Sequence, residues 1–342
     1  MKIVVDIGAC DNPEEVVRGC ALSLQEDSYT KLIISGDENF INKVLSEYNV
    51  DRNRLEIIDA KEVISNEDVP TVAIRRKTES SLVKAIDALK RDDVMGMVSA
   101  GSTGAVLSGG VFRLGRIKGI HRPALAPILP TLIDGKEVCL IDCGANVDCR
   151  PEYLVEFAMM GVSYMKSVCG VQNPRVGLVC NGVEDKKGNE LSKEVFARLK
   201  ALPINFVGNM EAREALSGDY DVLVCDGFVG NVLLKTVEGT AKMVMKLLKE
   251  SIMESATAKF GALFMKKAFD KIKNKMDYQK KGGAPLLGVE KIIVKSHGAS
   301  NASAIMASIN QVKKMYEGNL IQNIKDGIAT IAAIEENNDA NS

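Results

Sequence analysis

The chain has 342 residues, 46% of them hydrophobic and 26% charged, enough apolar material for one large α/β domain or two smaller ones. Lys and Arg number 44 against 45 Asp and Glu, so no global field draws the protein to nucleic acid or to an anionic membrane. Eight cysteines without a Cys-x-x-Cys pair and only two histidines, His121 and His297, argue against a zinc site; reduced core thiols in a cytosolic protein suit them better.

Met1–Asp6 runs directly into a strand pattern, with no charged leader or cleavage site ahead of it, so no signal peptide is expected. No eighteen-residue apolar run occurs either, which predicts no membrane span and a cytoplasmic location. Apolar runs predict strands at Ile3–Asp6, Lys31–Ser35, Leu55–Asp59, Gly96–Ala100, Val138–Asp142, Arg175–Val179, Ile204–Val207, Val222–Cys225 and Ile292–Lys295. They are apolar throughout rather than alternating, as strands buried on both faces of a mostly parallel sheet require. Helical patterns lie between them, at Pro13–Leu24, Ser80–Lys90, Ser192–Lys200 and Ala302–Tyr316. This alternation predicts an α/β fold, a three-layer α/β/α sandwich forming one domain over residues 1–334, followed by a polar, disordered tail at 335–342.

Residues 236–276 break the rhythm with an almost purely helix-forming stretch, predicted as a helical hairpin broken near Gly261. Nine lysines between Lys242 and Lys275 face only Glu250, Glu254 and Asp270, and Met and Phe residues alternate with them. Such a hairpin can pack on the domain or on a second subunit. Its apolar and basic side chains also suit contact with lipid or an acidic partner, and Leu263, Phe264, Lys266 and Lys267 are the candidates for that contact.

Loops beyond the carboxyl ends of parallel strands are where such folds bind ligands. Gly101-Ser102-Thr103-Gly104 offers backbone N–H groups and hydroxyls to an oxyanion, without the Gly-Lys-Ser/Thr of a nucleotide-binding P-loop. Asp142-Cys143-Gly144-Ala145-Asn146 gathers acid, amide and glycine at one strand end, where the same residues can also serve as plain turn and capping chemistry. Lys187-Gly188-Asn189 precedes a helix, so Lys187 is either a solvated loop residue or a point charge for a substrate phosphate. Asp226-Gly227-Phe228-Val229-Gly230-Asn231 leads into the long helical stretch, with Asn231 placed either to cap it or to polarise a carbonyl. His297 lies in a polar Ser-His-Gly turn; His121, beside Arg122-Pro123, is less suggestive. There is no Gly-x-Ser-x-Gly nucleophile elbow and no Gly-x-Gly-x-x-Gly after the first strand.

Taken in order, several segments resemble the acyl-carrier-protein:phosphate acyltransferase family of bacterial phospholipid synthesis. They are Arg122-Pro123-Ala124-Leu125, Gly144-Ala145-Asn146-Val147-Asp148-Cys149 with Pro151-Glu152, Lys187-Gly188-Asn189-Glu190-Leu191, Cys225-Asp226-Gly227-Phe228 with Gly230–Thr236, and Tyr278 followed by Gly282–Gly288. Two turns depart from the family pattern. Asp6-Ile7-Gly8-Ala9-Cys10-Asp11-Asn12 lacks a double glycine at positions 9 and 10, and Ser102 replaces an asparagine.

The resemblance implies a fold like that of the phosphotransacetylases and the isocitrate/isopropylmalate dehydrogenases, a homodimer, and a hairpin near the dimer surface and lipid. It implies transfer of a fatty acyl group from acyl-acyl carrier protein to inorganic phosphate, with no metal or organic cofactor and no nucleic acid. The acyl phosphate would pass to a membrane glycerol-3-phosphate acyltransferase, with the protein peripherally attached to the membrane. On that reading Gly101, Ser102, Thr103 and Gly104 cradle phosphate, Lys187 neutralises charge, Asn231 donates to the oxyanion and His297 assists proton movement. Asp142, Asn146, Asn189 and Asp226 complete the expected substrate site. A coenzyme A-dependent phosphotransacylase of shorter chains and a non-catalytic dehydrogenase-fold binding protein are the rival readings.

Overall fold

The computed structural model describes residues 1–276 and 282–340, except for the side chains of 256, 263, 273–276 and 335–340. Tyr278 therefore lies outside the described residues, as does the side chain of Leu263. The strands are β1 (Lys2–Asp6), β2 (Lys31–Gly36), β3 (Leu55–Asp59), β4 (Val94–Ser99), β5 (Ala124–Leu125) and β6 (Ile128–Pro130), then β7 (Glu137–Ile141), β8 (Arg175–Cys180), β9 (Asn205–Glu211), β10 (Val222–Val224), β11 (Ala284–Leu287) and β12 (Ile292–Lys295). The helices are α1 (Pro13–Glu26), α2 (Glu38–Leu45), α3 (Pro70–Arg76), α4 (Ser81–Leu89), α5 (Thr103–Gly109) and α6 (Pro151–Ser167), then α7 (Glu190–Lys200), α8 (Gly227–Glu254), α9 (Ala256–Met276), α10 (Ala302–Glu317) and α11 (Leu320–Ala340).

Among the described residues the strands form two sheets. One has the order β3-β2-β1-β4-β12-β11-β5 and the other β6-β7-β10-β8-β9. The nine apolar runs of the sequence all became strands. They pair in parallel within their own sheets, with β11, β5 and β6 adding antiparallel edges.

Period-2 alternation sends each strand's side chains to two cores. Ile3, Val5, Leu32, Ile34, Val98 and Val294 enter one core together with Ile141, Leu178 and Val224 of the second sheet. Val4, Ile33, Met97 and Ile293 enter the other with Val138, Leu140 and Leu223. Both sheets are thus covered on both faces by helices, which is the α/β architecture that the apolar runs demanded.

The expected hairpin exists, but its break is at Ser255 and not near Gly261. Ser255 is extended, at φ −119° and ψ 130°. Its hydroxyl accepts from Ala258 N at 3.3 Å and caps α9, while Gly261 lies in that helix with open space around it. Lys271 of α9 pairs with Asp134 in the β6–β7 turn at 3.0 Å. Phe260, Phe264, Met265, Leu247 and Met253 leave large apolar surfaces exposed, with Lys266 and Lys267 exposed beside them. No helix among the described residues is long and apolar enough to cross a membrane.

Candidate active site

Two groups of loops stand at the carboxyl ends of the strands. On the five-stranded sheet, parallel β7, β10 and β8 are neighbours, so residues 142–150, 225–227 and 181–189 share one edge. Asp142, fully buried, organises this edge. Its Oδ1 accepts from Leu125 N at 2.9 Å, Cys143 N at 2.7 Å and Ala145 N at 3.2 Å. Its Oδ2 accepts from Asn146 N at 2.7 Å and Asn146 Nδ2 at 2.9 Å, and that amide also donates to Pro123 O at 2.8 Å. Burial pushes the Asp142 carboxyl up, and the converging N–H donors offset part of that rise.

The root of α8 presses directly onto this turn. Gly227 N donates to Asn146 O at 2.7 Å, and a Cβ at Gly230 would collide with the Asp142 carbonyl oxygen. Asp226 caps the helix by accepting from Val229 N at 2.8 Å. Asn231 therefore does not open α8; it sits one turn in, exposed, and leans over Gly144, which is held at φ 110°. Asn189 likewise spends its oxygen on a cap, accepting from Ser192 N at 2.9 Å at the start of α7. Lys187 stands exposed on a turn closed by Lys187 N to Glu184 O at 2.9 Å, and Asn209 Nδ2 donates to that same carbonyl at 2.9 Å. Among the described residues neither the Lys187 ammonium nor the Asn231 amide has a hydrogen-bond partner, so both are available to a ligand.

On the seven-stranded sheet, β1, β4 and β12 end side by side, bringing residues 7–12, 99–104 and 296–301 together. Ser102 is buried at the start of α5 but caps nothing with its side chain; Thr103 is exposed and Gly104 packs against Pro70. His297 Nδ1 accepts from Ala299 N at 3.1 Å, which leaves the hydrogen on Nε2. Burial first, then the Lys235 charge, hold His297 below the usual imidazole range, so the ring is neutral at pH 7.

Helix α8 joins the two edges. Its Lys235–Glu238 pair, 2.9 Å apart, acts electrostatically on His297 of one edge and on Cys143 of the other. The structure thus gathers Gly101–Gly104 and His297 on one edge, and Asn231, Lys187 and the Asp142 turn on the other. Asp6, Lys295, Lys235 and Glu238 were not among the expected site residues, although Asp6 and Lys235 lie within the family-like segments. A charged residue at the very end of an apolar strand run was the available signal for the first two. His121, by contrast, is tied to buried Glu156 by Nδ1 to Oε1 at 2.5 Å and by its backbone N to Oε2 at 2.9 Å.

Comparison with known proteins places this geometry. The family model described as fatty acid synthesis protein matches residues 1–323. A phosphate acyltransferase of Clostridium tetani is 46% identical over 337 residues, covering 98% of this chain and 100% of that protein. The chain belongs to this phosphate acyltransferase family. It is an acyltransferase. A second family member, the phosphate acyltransferase of Clostridioides difficile, is 44% identical over 340 residues, 99% of each chain. Among solved structures, a phosphotransacetylase from Streptococcus pyogenes superposes with a TM-score of 0.60 at 17% identity, covering 92% of this chain and 94% of that one. A candidate 4-hydroxythreonine-4-phosphate dehydrogenase from Salmonella typhimurium gives 0.53 at 12% identity, covering 92% and 99%. At those identities the likeness is one of fold, and it matches the phosphotransacetylase and dehydrogenase architecture implied for the phosphate acyltransferase family.

Proposed function

We propose that the protein transfers a fatty acyl group from the thioester of an acyl carrier protein to inorganic phosphate, releasing acyl phosphate for phospholipid synthesis. The observation that carries this reading is a site rich in anion donors in which burial holds three nearby thiols, Cys10, Cys143 and Cys149, in the protonated form. Burial pushes Cys143 and Cys149 up to about 12 and Cys10 up to about 11. None of these three is a thiolate at neutral pH, so none can act as the attacking group. In the proposed reaction phosphate is itself the nucleophile. A phosphate oxygen bonds to the acyl carbon, the carbon–sulfur bond breaks, and the carrier's thiolate takes up a proton.

The protein's task is to hold two anionic reactants in line and to stabilise the tetrahedral oxyanion. Ser102, Thr103 and Gly104 hold the phosphate with backbone N–H groups and free hydroxyls, and Gly101, whose own N–H goes to Ser99 Oγ, sets the turn. Lys187 offsets charge as an exposed ammonium, and the free Asn231 amide donates to the oxyanion. The proton of the attacking hydrogen phosphate ends on the carrier's sulfur, and His297, neutral with its hydrogen on Nε2, assists that movement by donating a hydrogen bond to the departing sulfur. Asp142, Asn146, Asn189 and Asp226 serve this site by fixing the turns on which those groups stand.

The exposed Phe and Met residues of α8 and α9, interleaved with lysines, suit a dimer surface that also meets lipid or the acidic carrier protein. Peripheral attachment there would deliver acyl phosphate to a membrane glycerol-3-phosphate acyltransferase. Incubation of the protein with phosphate and palmitoyl-acyl carrier protein, followed by hydroxylamine, should trap palmitoyl hydroxamate. Faster hydroxamate formation from an acyl-coenzyme A donor would replace the carrier-protein reading with a coenzyme A-dependent one. No hydroxamate from either donor would sink both.

A further inference from the structure

Strand register places three side chains in a row. Asp6 of β1 lies opposite Ser99 of β4, and Ser99 lies opposite Lys295 of β12. In-register residues of parallel neighbours share a face, so an acid, a hydroxyl and a base end three adjacent strands on the same side of the sheet. Their hydrogen bonds run to the backbone of the loops above. Ser99 Oγ donates to Asp6 Oδ2 at 2.7 Å and accepts from Gly101 N at 3.2 Å. Asp6 Oδ1 accepts from Gly8 N at 3.0 Å. Lys295 Nζ donates to the Ala100 carbonyl at 3.4 Å and to the Ser296 carbonyl. Ala100 immediately precedes Gly101, and Ser296 immediately precedes His297.

We propose that Lys295 is a positioning residue that locks the β4 and β12 loops together, and that with Asp6 it sets how tightly the turn at 101–104 holds inorganic phosphate. The proposal rests on the reading of that turn as the phosphate site. Without Lys295 the buried Asp6 would lose the positive charge that favours its carboxylate, and two carbonyls at the loop bases would lose their common donor. The pair therefore holds Gly101 N and the His297 turn in a fixed relation.

The ionisable groups around Lys295 are few. Asp6, Cys10 and Asp11 face it from the β1 loop, and His297 from its own. The β4 turn, Ser99–Gly104, has no titratable side chain. Helix α10 reaches this strand end with Ser308, whose Oγ lies 2.8 Å from that of Ser296, and helix α4 presents Ser81 beside Asp6. From α8, Lys235 and Glu238 act on His297. Burial brings Lys295 down to about 8 against the pull of these acids. Its charge is complete below that pH and is lost above it. Cys10, at about 11, and His297, held low, do not titrate in that window.

The test is calorimetric titration of the full-length protein with inorganic phosphate, without acyl donor, from about pH 7 to about pH 9.5. Wild type, Lys295→Met and Lys295→Arg are compared, alongside hydroxamate turnover at pH 7. In wild type, phosphate affinity should fall about tenfold per pH unit above pH 8, as loss of one proton requires. Lys295→Met should bind phosphate at least tenfold more weakly at pH 7 and show no alkaline fall, with KM for the acyl donor within twofold of wild type. Lys295→Arg should restore most of the affinity and abolish the alkaline fall, since arginine keeps its charge.

An alkaline fall that persists in Lys295→Met, unchanged phosphate affinity, or an equal loss for both substrates overturns the proposal. If circular dichroism shows Lys295→Met unfolded, Lys295→Arg decides alone: a fall near pH 8 in that variant overturns it, and a flat profile supports it. Phosphate binding with the expected profile but no hydroxamate would defeat the acyl-transfer reading and leave the role of Lys295 standing. Absence of phosphate binding in wild type would defeat both.

Discussion

The two loop edges achieve order in opposite ways. On the five-stranded side, one buried carboxylate, Asp142, collects backbone N–H groups from residues 125–146, and the groups left for a ligand are exposed and unpaired. On the seven-stranded side the charges are inside, with Asp6 and Lys295 beneath a turn that carries no charge of its own. One edge thus separates support from chemistry, while the other ties them through a pair of ionisable groups. Substitutions at the first should divide cleanly into those that unfold and those that only slow the reaction. At the second, the two effects should be coupled and pH-dependent.

The sharpest division should come from Asp142. In Asp142→Asn an amide NH₂ replaces one acceptor oxygen among several N–H donors, at a cost of about 3 kcal/mol. A clear fall in thermal midpoint, with turnover lost in parallel, is expected from a melt monitored by circular dichroism. A stable, active Asp142→Asn would show that this edge does not depend on its carboxylate. Next in size are Asn231→Ala and Lys187→Ala. Removal of one oxyanion donor costs about a hundredfold in kcat, and neither side chain has a partner to lose, so the melt should not move. Turnover unaffected in both variants would remove these residues from the mechanism.

The smallest effect belongs to the other edge. Ala9 stands at φ 49°, a left-handed conformation that costs a non-glycine residue roughly 1–2 kcal/mol. Glycine relieves that strain at an entropic cost of roughly 0.4–1 kcal/mol, so Ala9→Gly should stabilise the protein by about 1 kcal/mol or less. A destabilised Ala9→Gly would mean that the alanine methyl contributes packing worth more than the strain.

That alanine also shows what the sequence could and could not reveal. The lost glycine at position 9 was visible as a departure from the family pattern; the backbone it now strains was not. Most of the nine strands were legible because strands buried on both faces are nearly apolar throughout; the edge strands β3 and β9, only half-buried, kept enough Val, Ile, Leu and Phe to show. The short β5 and β6 were not, because Pro123, Pro127 and Pro130 punctuate them and only two or three residues pair. Nor was β11, masked by the glycines around Ala284–Leu287.

Asp142, Asn189 and Asp226 carry the side-chain types that both bind ligands and cap turns, and composition alone does not separate those uses. Lys295 was hidden for a different reason. It closes an apolar strand, and its partner Ala100 is 195 residues away, so only the register between β4 and β12 brings them together.

Helix α8 has a mechanical consequence. It runs 28 residues without interruption, about 42 Å, and carries Asn231 close to its root and Leu247 and Met253 towards its tip. It is a lever with a short arm at the loop edge and a long one beyond it. A tilt of about ten degrees about the root would sweep the tip through about 7 Å while shifting Asn231 by about 1 Å. Displacement on that small scale can cost a reaction about a hundredfold when it moves a group that must meet a transition state. Whatever grips the far end of this rod therefore has leverage over the alignment of an amide about six turns below.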